Sequence, residues 1–261
     1  MPPNLIWNGG RPNLNNIPYI NYNNVFTYFS NFTLKHTCTN CLIDKELIND
    51  KACNEFIKKY TKPNDYIIIN SKILYNHLLQ FFPKNHFIWS ATLDIVDINL
   101  VNELSMNQIV VLEYNYNNND SYLEQLKNKH NIEIICAEPC IAHCPNRKAH
   151  YLLNSQMQLS GQIDQSDSFV CPSCDYTKMT VEQALEYQLS LPHGISNERI
   201  NILSQMGFQD FKISGRFSTT PYFFYIICYY LVKEQYRELV FKNLLIQYKK
   251  NMFKNKISVK Y

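Results

Sequence analysis

Glycine is scarce, with six in 261 residues. Only Gly9 and Gly10 are adjacent, and neither a phosphate loop nor a dinucleotide fingerprint is present. The chain also lacks a Ser-His-Asp order, a nucleophile elbow and a His-Glu-x-x-His motif, so peptidase chemistry has no visible nucleophile or catalytic zinc. Long apolar runs are missing. The longest covers residues 222–232, too short to cross a bilayer, so no membrane span is expected. Met1-Pro2-Pro3-Asn4 carries neither the basic nor the apolar stretch of a signal peptide, and a cytoplasmic location is the expectation. Charge is nearly balanced at +3, too weak to argue for a nucleic-acid partner by itself.

What is abundant is apolar and aromatic surface, 46% of residues, and cysteine. That composition and length suit a globular chain with one barrel-sized domain over residues 1–261. Nine cysteines cannot all pair within one chain. In a reducing compartment they point to metal or redox chemistry rather than to disulfides. The 19 tyrosines offer stacking surface for a base or ring, although the heavy use of Asn, Tyr, Ile and Lys reads equally well as codon bias.

Residues 1–31 read as mostly loop with an early extended segment. Helical spacing follows over 45–60, then a strand over 65–70 and a helix capped by Ser71 and ended by Pro83. Strands are predicted over 87–92, 107–114 and 132–136, with a helix over 120–129. An irregular cysteine-rich segment covers 136–176. A helix over 197–205, a stop at Gly207 and a strand over 211–213 come next. A C-terminal helix over 221–250 completes the chain, with Phe223, Ile227, Tyr230 and Leu231 on one face. Strands alternating with helices imply an α/β fold with a parallel sheet. A TIM-type (β/α) barrel, incomplete or distorted, is the favoured architecture, and an open doubly wound sheet is the alternative.

Cys136, Cys140 and Cys144 fall within nine residues at the end of a predicted strand, and Cys171-Pro172-Ser173-Cys174 follows. In parallel α/β folds, sites are built at the C-terminal ends of strands. Thiolates are soft ligands, and closely spaced cysteines on irregular backbone can wrap an iron–sulfur cluster or a zinc ion. Cys38 and Cys41 make another Cys-x2-Cys pair, but nearly the whole sheet lies between it and Cys171/Cys174, against a zinc ribbon. The Cys136-x3-Cys140-x3-Cys144 spacing has one residue too many for the radical S-adenosylmethionine signature. Cys53 and Cys228 sit on apolar helical faces and read as core thiols.

Glu138-Pro139-Cys140, then Cys144-Pro145-Asn146-Arg147 with His150-Tyr151, a later cysteine, and 207–216 ending Lys212-Ile213-Ser214-Gly215-Arg216 resemble the collagenase-like peptidase family U32. Ser214 stands where that family has a glutamate. Ser90-Ala91-Thr92 resembles the family's Ser-Thr-containing strand end. The resemblance covers roughly residues 60–220. It implies a barrel-like domain holding a [4Fe-4S] cluster, with Cys140, Cys144, Cys171 and Cys174 as ligands and Cys136 or Cys38 as substitutes. Several members look like oxygen-independent hydroxylases acting on RNA or a quinone precursor, some with prephenate as oxygen donor. The chain is short for the family, so a protein partner subunit is expected to complete it.

Arg216, after a glycine just past a strand, suits a bidentate clamp on an anionic substrate. Glu138 is a candidate general base or N-cap carboxylate, and His150 a candidate proton donor or hydrogen-bond donor to cluster sulfur. Lys212, if directed into the barrel, needs a carboxylate such as Glu138 or Asp94. Gly9-Gly10-Arg11 reads as a turn or an anion nest. Three functions compete: an iron–sulfur oxidoreductase of hydroxylase type, a non-catalytic accessory protein with a structural cluster or zinc, and a peptidase.

Overall fold

Short runs of β-branched and aromatic residues, three of them followed by a helix with a polar side-chain cap, set up this fold. A computed structural model describes residues 5–9, 22–160, 179–213 and 220–258. Its strands are β1 (Lys35–Cys38), β2 (Tyr66–Ile69), β3 (Phe87–Trp89), β4 (Ile109–Val111), β5 (Ile132–Ile135) and β6 (Asp210–Lys212). They form one all-parallel sheet in the order 1-2-3-4-5-6. A doubly wound sheet reverses its strand order partway. This one never does, so the doubly wound alternative is excluded. Sequential parallel neighbours joined by right-handed crossovers place their helices on one face, and the sheet curls away from them into a half-barrel.

The helices are α1 (Tyr22–Tyr28), α2 (Lys51–Tyr60), α3 (Lys72–Leu78), α4 (Ile98–Leu104), α5 (Asp120–Glu124), α6 (Arg147–Ser160), α7 (Val181–Ser190), α8 (Asn197–Gln205), α9 (Thr220–Leu231) and α10 (Arg237–Ser258). Side-chain caps open six of them. Asp50, Ser71, Asp97, Asn119 and Ser196 accept from the N–H groups of Cys53, Leu74, Leu100, Tyr122 and Arg199, and Thr180 with Gln183 forms a full capping box on α7. Gly207 ends α8 as its sequence position suggests. It adopts φ +103, its N–H reaches Ser204 O, and Phe208 N–H reaches Leu203 O, the Schellman arrangement.

The period-two alternation of the strands divides two cores. Cys38, Ile67, Ile69, Phe87, Trp89, Val110, Leu112, Ile132, Ile134 and Cys136 face the helices and pack on Cys53, Ile57, Leu74, Leu78, Val101, Leu123 and Leu203. Ile68, Ile88, Ile109, Val111 and Ile135 line the concave face. On that face Glu133, 1% exposed, takes Lys212 of β6 at 3.0 Å and Lys35 of β1, at the opposite edge of the sheet. The curl is what lets β1 reach β5. Lys212 thus has Glu133 as its carboxylate, not Glu138 or Asp94.

Further differences from the sequence-based expectations stand out. β1, α1, α4 and α7 occupy stretches without a predicted element. The segment expected to be irregular over 136–176 contains the fourteen-residue α6. The single helix expected over 221–250 is two helices, broken at 232–236 and folded back so that Phe241 meets Tyr225 and Tyr248 meets Phe224. The fold-back covers α9, which is apolar on every side and needs a neighbour on more than one face. The early extended segment expected near the N-terminus falls mostly outside the described residues.

Candidate functional site

The site is assembled where β4 and β5 end. Beyond β4 the chain continues through Leu112, whose N–H still bonds Glu133 O, into Glu113, Tyr114 and Asn115. Beyond β5, Cys136 N–H bonds Lys212 O, and Ala137 leads to Glu138 and the Cys140–Cys144 loop. That loop is pinned along its length. Cys140 N–H donates to Glu138 Oε1 at 3.2 Å, Tyr114 Oη to Ile141 O at 2.8 Å, and His143 N–H to Asn115 Oδ1 at 2.8 Å. Arg147 N–H closes it on Cys144 O at 3.3 Å. Asn115 is itself fixed by donating to both oxygens of Glu113. His143 takes the left-handed conformation, φ +50, to make this turn.

Under the loop lies a buried ion pair. Arg147 Nη2 donates to Glu138 Oε2 at 3.3 Å and Nη1 stands 3.2 Å from Oε1, both side chains 6% exposed. The guanidinium lies over the Tyr114 ring at 4.3 Å, with the Tyr151 ring at 5.2 Å. Burial alone would raise the Glu138 carboxyl, but Arg147 and the Cys140 N–H outweigh it and hold it below the ordinary glutamate range. Glu138 is therefore a permanently ionised and weakly basic carboxylate near neutral pH. Burial pushes Glu113 the other way, above its ordinary value. His193 packs edge-on to Tyr114 at 4.6 Å, and burial lowers its pKa.

α6 runs from this corner along the C-terminal ends of the strands. Lys148 reaches Asp94 after β3 at 3.7 Å, and Ser155 Oγ accepts from Cys41 N–H after β1 at 2.9 Å. Gln158 Nε2 donates to Leu5 O. A fourteen-residue helix is ~21 Å long, enough to cross the opening of a half-barrel. Its buried face is polar at most positions (Arg147, Asn154, Ser155, Gln158) because it rests on loop ends rather than on an apolar core.

The sequence-based candidates divide accordingly. Cys140, Cys144, Glu138 and His150 come together at the loop and the first turn of α6, with the two thiols half-buried. Cys136 and Cys38, considered as substitute ligands, point into the core under the helices, where burial pushes both thiols up to about 12. Cys53 and Cys228 are buried, as expected. Cys41 is exposed, but it sits beside Ser155, eight residues and ~12 Å of helix beyond Arg147. Cys171, Cys174, Ser214, Gly215, Arg216 and the Gly10-Arg11 half of the N-terminal turn lie outside the described residues. Among the described residues, no group of three or more His, Cys, Asp or Glu side chains is arranged to hold a metal ion, and no helix is long and apolar enough to cross a membrane.

Tyr114, Glu113, Asn115 and His193 belong to the site and were not singled out by sequence. Their one signal is position, since Glu113-Tyr114-Asn115 leaves β4 at the same end from which Glu138 leaves β5. Comparison with protein-family models, with curated proteins and with solved structures finds no match for this chain.

Proposed function

We propose that this chain is an iron–sulfur protein akin to the hydroxylase-like members of family U32, with Cys140 and Cys144 as two ligands of a [4Fe-4S] cluster and Cys171 and Cys174 as the others. The observation that carries the reading is the contrast among the cysteines. Four of the described ones are sealed in the core, whereas Cys140 and Cys144 are presented on a loop pinned at the C-terminal end of a parallel sheet. The donor chemistry fits. Cys140 and Cys144 lie on irregular backbone at the C-terminal end of the sheet, and soft thiolates are the ligands a cluster takes. Such a cluster would supply electron transfer and an iron position for an oxygen donor. Arg216 would hold an anionic or aromatic substrate, and His150 would serve proton transfer or hydrogen-bond a sulfur.

One observation favours a second reading, an accessory protein with a structural cluster or zinc that pairs with a larger enzyme. Glu138, the nearest carboxylate, is committed to Arg147 and is a poor base. The test is anaerobic purification with iron, acid-labile sulfide and zinc measured per chain, on the parent and on Cys→Ala variants at 140, 144, 171 and 174. About four irons and four sulfides, lost in the variants, support the cluster. One zinc without sulfide supports the structural reading. No metal in either preparation overturns both. Turnover of a prephenate-dependent hydroxylation by the cluster-loaded protein then separates enzyme from accessory protein.

A further inference from the structure

Positive charge in this chain is concentrated at one end. Residues 237–261 hold seven Lys and Arg against one glutamate, leaving 18 basic and 21 acidic residues in the remaining 236. Nearly all of that charge sits on α10, whose inner face is occupied. Val240, Phe241, Leu244, Leu245 and Tyr248 are half-buried there, and Phe241 and Tyr248 stack edge-on against Tyr225 and Phe224 of α9. The outer face is not simply polar. Leu239 is 61% exposed and Ile246 50% exposed, seven residues apart and therefore on one line along the helix. Lys242 and Lys249 follow each of them by three residues, and Lys250 follows Ile246 by four, all exposed. In the sequence, Phe253 and Lys256 continue both spacings.

We propose that α10 is a docking surface for an anionic lipid bilayer, on which the helix lies in the interfacial plane. A line of large aliphatic side chains flanked by lysines is the arrangement such helices use. The apolar line enters the headgroup boundary, and the lysine stems follow it while their ammonium groups stay at the phosphates. The competing occupants fit less well. A second copy would set lysine against lysine. Protein interfaces are depleted in lysine at their centre. A nucleic acid uses the charge but gives no partner to exposed Leu239 and Ile246.

The test is co-sedimentation of the full chain with phosphatidylcholine vesicles, with and without phosphatidylserine, and with a single-stranded oligonucleotide in a parallel arm. Binding is expected on the phosphatidylserine vesicles alone and is expected to be released by high salt. Lys242→Glu/Lys249→Glu/Lys250→Glu is expected to weaken it by roughly 100-fold or more, from the loss of three surface cations. Leu239→Ser/Ile246→Ser is expected to weaken it by about tenfold. All five positions are exposed, and circular dichroism of each variant checks that α10 still forms. Equal binding to neutral vesicles, no binding to the anionic ones, or binding that the aliphatic pair does not affect would each overturn the proposal. Tight oligonucleotide binding indifferent to Leu239→Ser/Ile246→Ser would reassign the surface to nucleic acid.

Discussion

Replacing Glu138 by Gln removes one charge from a pair in which each side chain is 6% exposed. The shape is kept, and the Arg147 guanidinium is left in the protein interior without its counter-ion. Breaking a buried pair in this way costs ~3–5 kcal/mol, a large part of the ~5–15 kcal/mol that holds a typical domain together. At ~2–4 °C per kcal/mol for a chain of this size class, the melting temperature should fall by roughly 6–20 °C. Arg147→Met should cost a similar amount at neutral pH, but its dependence on acid differs. Without Arg147, burial governs Glu138 and raises its pKa, so lowering the pH neutralises the orphan and recovers stability. An arginine cannot shed its charge, so the Glu138→Gln penalty relative to the parent persists as pH falls until the parent's own Glu138 is protonated, below the ordinary glutamate range. The double variant should be more stable than either single one. Glu55→Gln, which breaks the exposed Lys51–Glu55 pair, is the control and should change stability by ~0.5 kcal/mol or less. Urea unfolding by circular dichroism across pH reads all four proteins. If Glu138→Gln and Glu55→Gln gave the same midpoint, the buried pair would not be holding the loop and the reasoning would fail.

The parent protein should lose stability to acid in two stages. Burial lowers the pKa of His36 and His193 from 6.5, so each contributes stability above that value that fades as pH falls below it. Glu133 and Glu138 are held below 4.5, so their contribution is complete above 4.5 and disappears as pH falls through their depressed values, while the raised Glu113 opposes them. A urea midpoint that stays flat down to pH 4.5 would contradict the histidine stage. Gly207→Ala should destabilise by ~1–2 kcal/mol through its left-handed φ alone, because an added Cβ meets nothing nearer than 3.8 Å. A neutral result in chemical denaturation would mean that the end of α8 rearranges. Thiol labelling of the metal-free native protein, mapped by peptide, should modify Cys41, Cys140 and Cys144 within minutes. It should leave Cys38, Cys53, Cys136 and Cys228 unmodified until unfolding, and early labelling of Cys136 would refute its place in the core.

The strands most visible in the sequence are those whose two faces are both apolar. Ile67-Ile68-Ile69 and Ile109-Val110-Val111 are continuous apolar runs because one face meets the helices and the other the concave core, and Ile132 to Ile135 is interrupted by Glu133 alone, whose charge is answered by Lys35 and Lys212. β1 escapes that signal for a reason specific to its partners. Lys-His-Thr-Cys reads as polar, yet Lys35 is tied to Glu133 on β5 and His36 pairs with Asp65 at 3.3 Å, so the edge strand is satisfied by residues 29 and 98 positions away. The break between α9 and α10 is hidden by the opposite effect. α9 is apolar on every side and α10 carries apolar residues on both its faces, so no single stripe marks the reversal, and the packing of Phe241 on Tyr225 and of Tyr248 on Phe224 shows it.

The same logic explains how the candidate site was partly legible. Cysteine spacing at the end of a strand was enough to bring Cys140, Cys144 and Glu138 together, since all three are local to one loop. The groups that hold the loop are distant in sequence: Tyr114 bonds Ile141 across 27 positions, and Asn115 bonds His143 across 28. α6 leaves no hydrophobic stripe, because the surface it covers is a rim of carboxylates, amides and main-chain groups. Its buried residues are therefore Arg147, Asn154, Ser155 and Gln158 with only Met157 apolar. A helix that pays for burial with hydrogen bonds reads as solvent-facing when only periodicity is considered. Its placement follows instead from the charges it must answer. Glu138 and Asp94 stand at the ends of two different strand connections, and Arg147 and Lys148, adjacent in sequence, meet one each. That pairing fixes the start of α6 beside the Cys140–Cys144 loop and sets the course of the helix across the mouth.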